Sequence, residues 1–162
     1  LSIRRQRQMC IRDRPKRLLI LGPSFRRNKS SESLSALERY DGIYFRVTKK
    51  YLRQVQNIDV VVMVDDLALV EGASSLGYVP PKGNVWGRQS FGKDILEKVR
   101  ERNETFLRRK LISGRYSEVF IAMGKKHAEA LPDLSRYDVK VIFPTRGGLG
   151  PKAKALKEWF LG

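Results

Sequence analysis

Four short apolar runs divide the chain, at residues 17–21, 58–64, 118–123 and 139–143, and each ends in a polar or glycine-bearing turn. Strand-length runs that are apolar at almost every position suit strands covered on both faces, as in parallel sheets. Helical patterns lie between them. Strand and helix in alternation build β-α units. The pattern predicts an α/β domain with an open, mostly parallel sheet of four or five strands and helices on both faces, a Rossmann-like arrangement. In such a sheet the turns that follow the strands share one edge, where ligands bind.

The last unit is the most explicit. Val139-Lys140-Val141-Ile142-Phe143 leads into Pro144-Thr145-Arg146-Gly147-Gly148, and a helix is predicted with Pro151 in its first turn and Ala153, Leu156 and Phe160 on one face. Thr145, Arg146, Gly147, Gly148 and Lys152 are candidate phosphate contacts. Glycine lets backbone N–H groups approach an anion, and basic side chains add charge-assisted bonds. Neither Gly-x-Gly-x-x-Gly nor Gly-Lys-Ser/Thr is present, so the glycines suit a plain tight turn as well.

The other turns offer similar chemistry. After the first run come Gly22-Pro23-Ser24-Phe25-Arg26-Arg27, where Ser24, Arg26 and Arg27 are candidate anion donors or members of an exposed basic turn. After the second come Asp65 and Asp66. Paired carboxylates there can hold a metal, orient a ribose or act as a base, and can equally cap a turn. No third carboxylate or histidine stands nearby in sequence, so no metal site is expected. After the third run Gly124-Lys125-Lys126-His127 opens a short helix. Lys125 and Lys126 are candidate phosphate contacts, and His127, the single histidine, is a candidate titrating group or an ordinary helix-start residue.

A helix is predicted from Tyr44, with Val47, Tyr51, Leu52 and Val55 at helical spacing, and another from an N-cap at Ser90 to about Leu111. The latter would bury Ile95, Val99 and Phe106, flanked by Leu96, Leu107 and Leu111. Residues 72–92 show no periodicity and carry five glycines. Long loops of that kind serve as lids or binding loops. Tyr78 and Trp86 with Arg88 suit stacking on bases beside phosphate contacts, or packing back on the core.

Residues 1–14 stand apart. Positions 4–14 match an in-frame translation of the transposase adapter used in sequencing libraries, and are set aside as one would an expression scar. The competing reading is a basic arm for nucleic acid. The domain expected is then 15–162. Without the segment's five arginines and Asp13, 28 basic and 16 acidic residues remain, a balance of +12 against +16 for the whole sequence. So basic a domain points to an anionic partner, nucleic acid or a nucleotide. Cys10, the one cysteine, belongs to the same segment, so neither a disulfide nor a cysteine nucleophile is expected in the domain. No apolar run has membrane-spanning length, and the chain is expected to be cytoplasmic and off the membrane. No cofactor is indicated.

With these pieces placed, the chain resembles the small domains related to the peroxide-stress protein YaaA and, more remotely, a domain of archaeosine synthase. The resemblance rests on Gly22-Pro23-Ser24, on Arg39-Tyr40-Asp41-Gly42-Ile43-Tyr44-Phe45, on Met63-Val64-Asp65-Asp66-Leu67-Ala68-Leu69, on Gly124-Lys125-Lys126-His127 and on the glycine-rich loop leading to Trp159. Pro23 stands where the family often has cysteine, and Asp65, Asp66 and Ala68 replace a small, serine- and glycine-containing motif. The resemblance implies an α/β fold and a link to DNA binding or tRNA modification. Two functions are carried forward: a module binding nucleotide or nucleic-acid phosphate, and an enzyme acting on a nucleotide or modified base with Asp65 or Asp66 as base.

Overall fold

A computed structural model of the chain describes residues 15–81 and 91–162. The adapter-like segment, Trp86, Arg88 and the N-cap expected at Ser90 lie outside the described residues. Strand β1 (Lys16–Leu21) is followed by β2 (Leu34–Ser35), helices α1 (Ala36–Arg39) and α2 (Ile43–Leu52), and strands β3 (Ile58–Met63), β4 (Leu69–Glu71) and β5 (Ser75–Leu76). Helix α3 (Lys93–Ser113), β6 (Tyr116–Ala122), α4 (Lys125–Ala128), a 3-10 turn (Leu134–Arg136), β7 (Lys140–Ile142) and α5 (Leu149–Leu161) complete the order.

The main sheet has five strands in the order β4-β3-β1-β6-β7. All its pairings are parallel except β3 with β4. Alternation across the pleat divides the core in two. Leu18, Ile20, Val61, Met63, Val119 and Ile121 face Leu96 and Leu107 of α3. Leu19, Leu21, Val60, Val62 and Phe120 face α1, α2 and α5, through residues such as Tyr40, Phe45, Leu156 and Phe160. Helices therefore cover both faces, which is why the strands carry apolar side chains in both directions.

The structure corrects several expectations. Residues near Val141 were expected at the sheet's centre; β7 is instead an edge strand, and Val141 is exposed. Helix α3 has Gly92 at its N-cap position and presents Leu96, Asn103 and Leu107 as its buried residues, with Val99, Phe106 and Leu111 partly covered. Ile95 was assigned to that face and is 56% exposed. Reading only apolar positions skipped Asn103, and that shifted the face by one residue. The aperiodic region from residue 72 opens with β5, which pairs with β2 in a small antiparallel ribbon. No described helix is long and apolar enough to cross a membrane.

The strand order reverses direction beside β1. The chain passes from β1 to β3 on one side, then crosses to β6 on the other. Ligands in open α/β sheets bind where the order reverses, outside the carboxyl ends of the strands. Here β1 and β6 end side by side: the Gly22 N–H donates to the Ala122 carbonyl at 3.1 Å. A Cβ on Gly22 would lie 2.6 Å from Cβ of Met123, so the two strand ends close only because Gly22 has no side chain.

Candidate functional site

The first loop is held by its own residues. Ser24 is buried, and its hydroxyl donates to the Arg26 carbonyl at 2.9 Å, which shapes the turn rather than facing solvent. Arg27 reaches across the strand ends. Its Nε donates to the Ser24 carbonyl at 3.0 Å and Nη1 to the Val79 carbonyl at 2.8 Å. Nη1 and Nη2 each donate to one Asp65 oxygen at 2.6 Å. The guanidinium also lies over the Tyr40 ring, 5.2 Å from its centroid. Arg27, a candidate anion donor or member of an exposed basic turn, and Asp65, a candidate functional carboxylate or turn cap, are thus a single two-point ion pair.

The two aspartates part company. Asp66 accepts from the Ala68 N–H at 3.1 Å and lies 4.0 Å from Arg102, so it caps the β3–β4 turn. Asp65 faces the basic loop. That turn is a tight hairpin in which Leu67, 2% exposed, adopts φ 68°. Such a conformation is uncommon for a residue other than glycine. Asn103 holds it in place: its Nδ2 donates to the Leu67 and Ala130 carbonyls, both at 2.9 Å, and its Oδ1 accepts from the Leu69 N–H at 3.0 Å. One buried amide therefore ties the Asp65 turn to the segment that follows α4.

Beneath Asp65 lies Tyr40, 1% exposed, with a buried hydroxyl that lacks a well-formed hydrogen bond. Burial raises its pKa far above the ordinary phenol value, the Asp65 charge adds to the rise, and Arg27 opposes it. His127 is half-buried and meets Phe91 edge-on, with ring centroids 5.5 Å apart. Burial pushes its imidazole below the ordinary 6.5, and the Asp65 charge opposes that shift. The ring is accordingly neutral near pH 7.

The remaining cations are differently placed. Arg26, Lys125, Lys126 and Arg146 are exposed and Lys152 half-buried, and none forms an ion pair among the described residues. Thr145, Gly147 and Gly148 are exposed as well, with Gly147 at φ 85° and Gly148 at the start of α5. Tyr78 is half-buried beside the Val79 carbonyl that Arg27 holds. At the opposite, N-terminal edge Lys16 lies 3.6 Å from Asp59, and Arg17 donates to the Trp159 and Phe160 carbonyls. No group of three or more His, Cys, Asp or Glu side chains converges as metal ligands among the described residues.

Arg39 went unnoticed in the sequence. It is 1% exposed, and its guanidinium donates to the carbonyls of Asn28, Ser30, Glu32 and Leu76. It organises the loop after Arg27 and fastens it to β5. No family model matches this chain, and no curated protein or solved structure matches it either.

Proposed function

We propose that this domain binds the phosphates of a nucleotide or nucleic acid along the C-terminal edge of its parallel strands, by a non-catalytic mechanism. The observation that carries this is the set of cations that follow the parallel strands, beside a carboxylate that is already paired. Arg26, Lys125, Lys126, Arg146 and Lys152 follow β1, β6 and β7 without ion-pair partners among the described residues, while Asp65, after β3, is neutralised by Arg27. Cations spread along the edge from the strand-order reversal to β7 form an electrostatic footprint for phosphate. Strands lie about 4.8 Å apart, so the loops after β1 and β7 are separated by roughly 10 Å. That spread favours a ligand with more than one charged group over a lone anion. A Rossmann-like arrangement of the sheet and the resemblance to YaaA-related domains agree with this reading.

The catalytic alternative is less well supported. Both Asp65 oxygens already accept from a guanidinium, and Asp66 caps a turn, so neither is poised as a base. The test is a titration of the protein with short oligonucleotides, mononucleotides and inorganic phosphate at two salt concentrations. Phosphate-driven binding gives an affinity that falls steeply with salt. Salt-independent affinity, or none, refutes the proposal.

A further inference from the structure

Asp65 is out of place in a site for phosphate alone. A carboxylate there repels the ligand, and the arginine that neutralises it is withdrawn from the ligand. The pair nonetheless sits at the end of β3, next to the strand-order reversal, and is unevenly covered: the Arg27 side chain is 7% exposed, the Asp65 side chain 44%. Arg27 takes one position on each carboxylate oxygen, at 2.6 Å. An ionised carboxylate offers about four acceptor positions, so about two remain, on the solvent side. The buried Tyr40 hydroxyl lies beneath, close to the same carboxylate.

We propose that Asp65 is the acceptor for a ribose 2′-hydroxyl, and that the ligand is therefore a ribonucleotide or RNA rather than its deoxy counterpart. This rests on the phosphate-binding reading above and deepens it. The placement has a physical rationale. In dinucleotide-binding α/β sheets, phosphate lies at the reversal and an acidic residue further along the chain takes the ribose 2′-hydroxyl; here the topology puts Asp65 at the end of β3, the strand beside β1. Arg27 is the positioning residue. It fixes the carboxylate's orientation through a planar fork and cancels the charge that would repel the adjoining phosphate. The 2′-hydroxyl is the group by which a protein distinguishes RNA from DNA at a single position.

The experiment compares three short oligonucleotides of one sequence: RNA, DNA and 2′-fluoro RNA, which keeps the ribose pucker but cannot donate from the 2′ position. Inorganic phosphate and both salt conditions are included. Wild-type protein should bind RNA about tenfold more tightly than either analogue, the ratio expected for a hydrogen bond to a charged acceptor. Asp65→Asn should shrink that ratio to about threefold or less while leaving the salt dependence in place; circular dichroism verifies that the variant is folded. Equal affinity for RNA and 2′-fluoro RNA overturns the assignment of Asp65 and leaves phosphate binding intact. A preference for RNA that persists unchanged in folded Asp65→Asn also overturns it. Failure of every oligonucleotide to bind removes the phosphate site and this proposal together.

Discussion

Arg27 and Asp65, 38 residues apart, meet in a two-point fork with both arms at 2.6 Å, joining the loop after β1 to the turn after β3. The guanidinium is covered and the carboxylate half-open, so the contact is stronger than a fully exposed ion pair, which is typically worth no more than about 1 kcal/mol. Arg27→Lys keeps the charge and loses the fork, together with the bonds to the Ser24 and Val79 carbonyls. Chemical denaturation should show a loss of about 1–2 kcal/mol. Unchanged stability would mean that the fork holds nothing in place.

Asn103 should matter more. Replacing it with alanine leaves the Leu69 N–H and the Leu67 and Ala130 carbonyls buried without their partner. Each orphaned group costs about 1–3 kcal/mol, partly relieved by water entering the space. The expected loss is about 2–4 kcal/mol in equilibrium unfolding. A change under about 0.5 kcal/mol, the range of surface substitutions, would show that Asn103 does not anchor the β3–β4 turn.

At Leu67 two effects oppose each other. Glycine would relieve a left-handed conformation that costs a non-glycine residue about 1–2 kcal/mol. It would also delete a leucine that is 2% exposed, at about 2–5 kcal/mol. Burial wins, so Leu67→Gly should destabilise the protein by about 1–3 kcal/mol. A stabilised variant would mean that backbone strain dominates this turn.

The same turn shows what could be read in the sequence. The central strands β1, β3 and β6 were legible because continuous apolar runs have few other uses in a chain of this size. The β3–β4 hairpin was not, since its left-handed position holds Leu67 where glycine is the usual signal. The pairing of β2 with β5 involves two residues on each side and leaves no periodicity to detect. For the candidate site, the loops were legible as polar turns following strands, which places them on one edge. Contacts within that edge were not. Arg27, Arg26 and Arg39 look alike in sequence, yet one is clamped to a carboxylate, one is exposed and one is buried among carbonyls. Those differences arise from which distant segment folds over each residue.

His127 supplies a pH dependence of known sign. Its folded pKa is lowered from 6.5, so the unfolded chain binds the proton more readily than the folded protein does. This contribution to stability is complete above the unfolded value and is lost as pH falls through 6.5 toward the folded value. Denaturation curves between about pH 8 and about pH 5 should show decreasing stability in that window for wild type, and a shallower decrease for His127→Gln. Parallel curves for the two proteins would assign the acid sensitivity to other groups.

Arg146 tests the reach of the binding edge, because it follows β7, two strands from β1. The side chain is exposed and has no ion-pair partner among the described residues, so Arg146→Ala should leave stability within about 0.5 kcal/mol of wild type. Its effect on binding should be larger. A hydrogen bond from a guanidinium to phosphate is worth about 1.5–3 kcal/mol, and its loss should weaken oligonucleotide affinity accordingly. The salt dependence should also become shallower, since one fewer counterion is released. Inorganic phosphate separates two possibilities. If Arg146 touches the phosphate nearest β1, both ligands lose affinity in the variant; if the edge binds an extended chain, only the oligonucleotide does. The separation of roughly 10 Å between β1 and β7 favours the second outcome. Equal affinities of wild type and variant for the oligonucleotide would confine the site to the loops after β1 and β6.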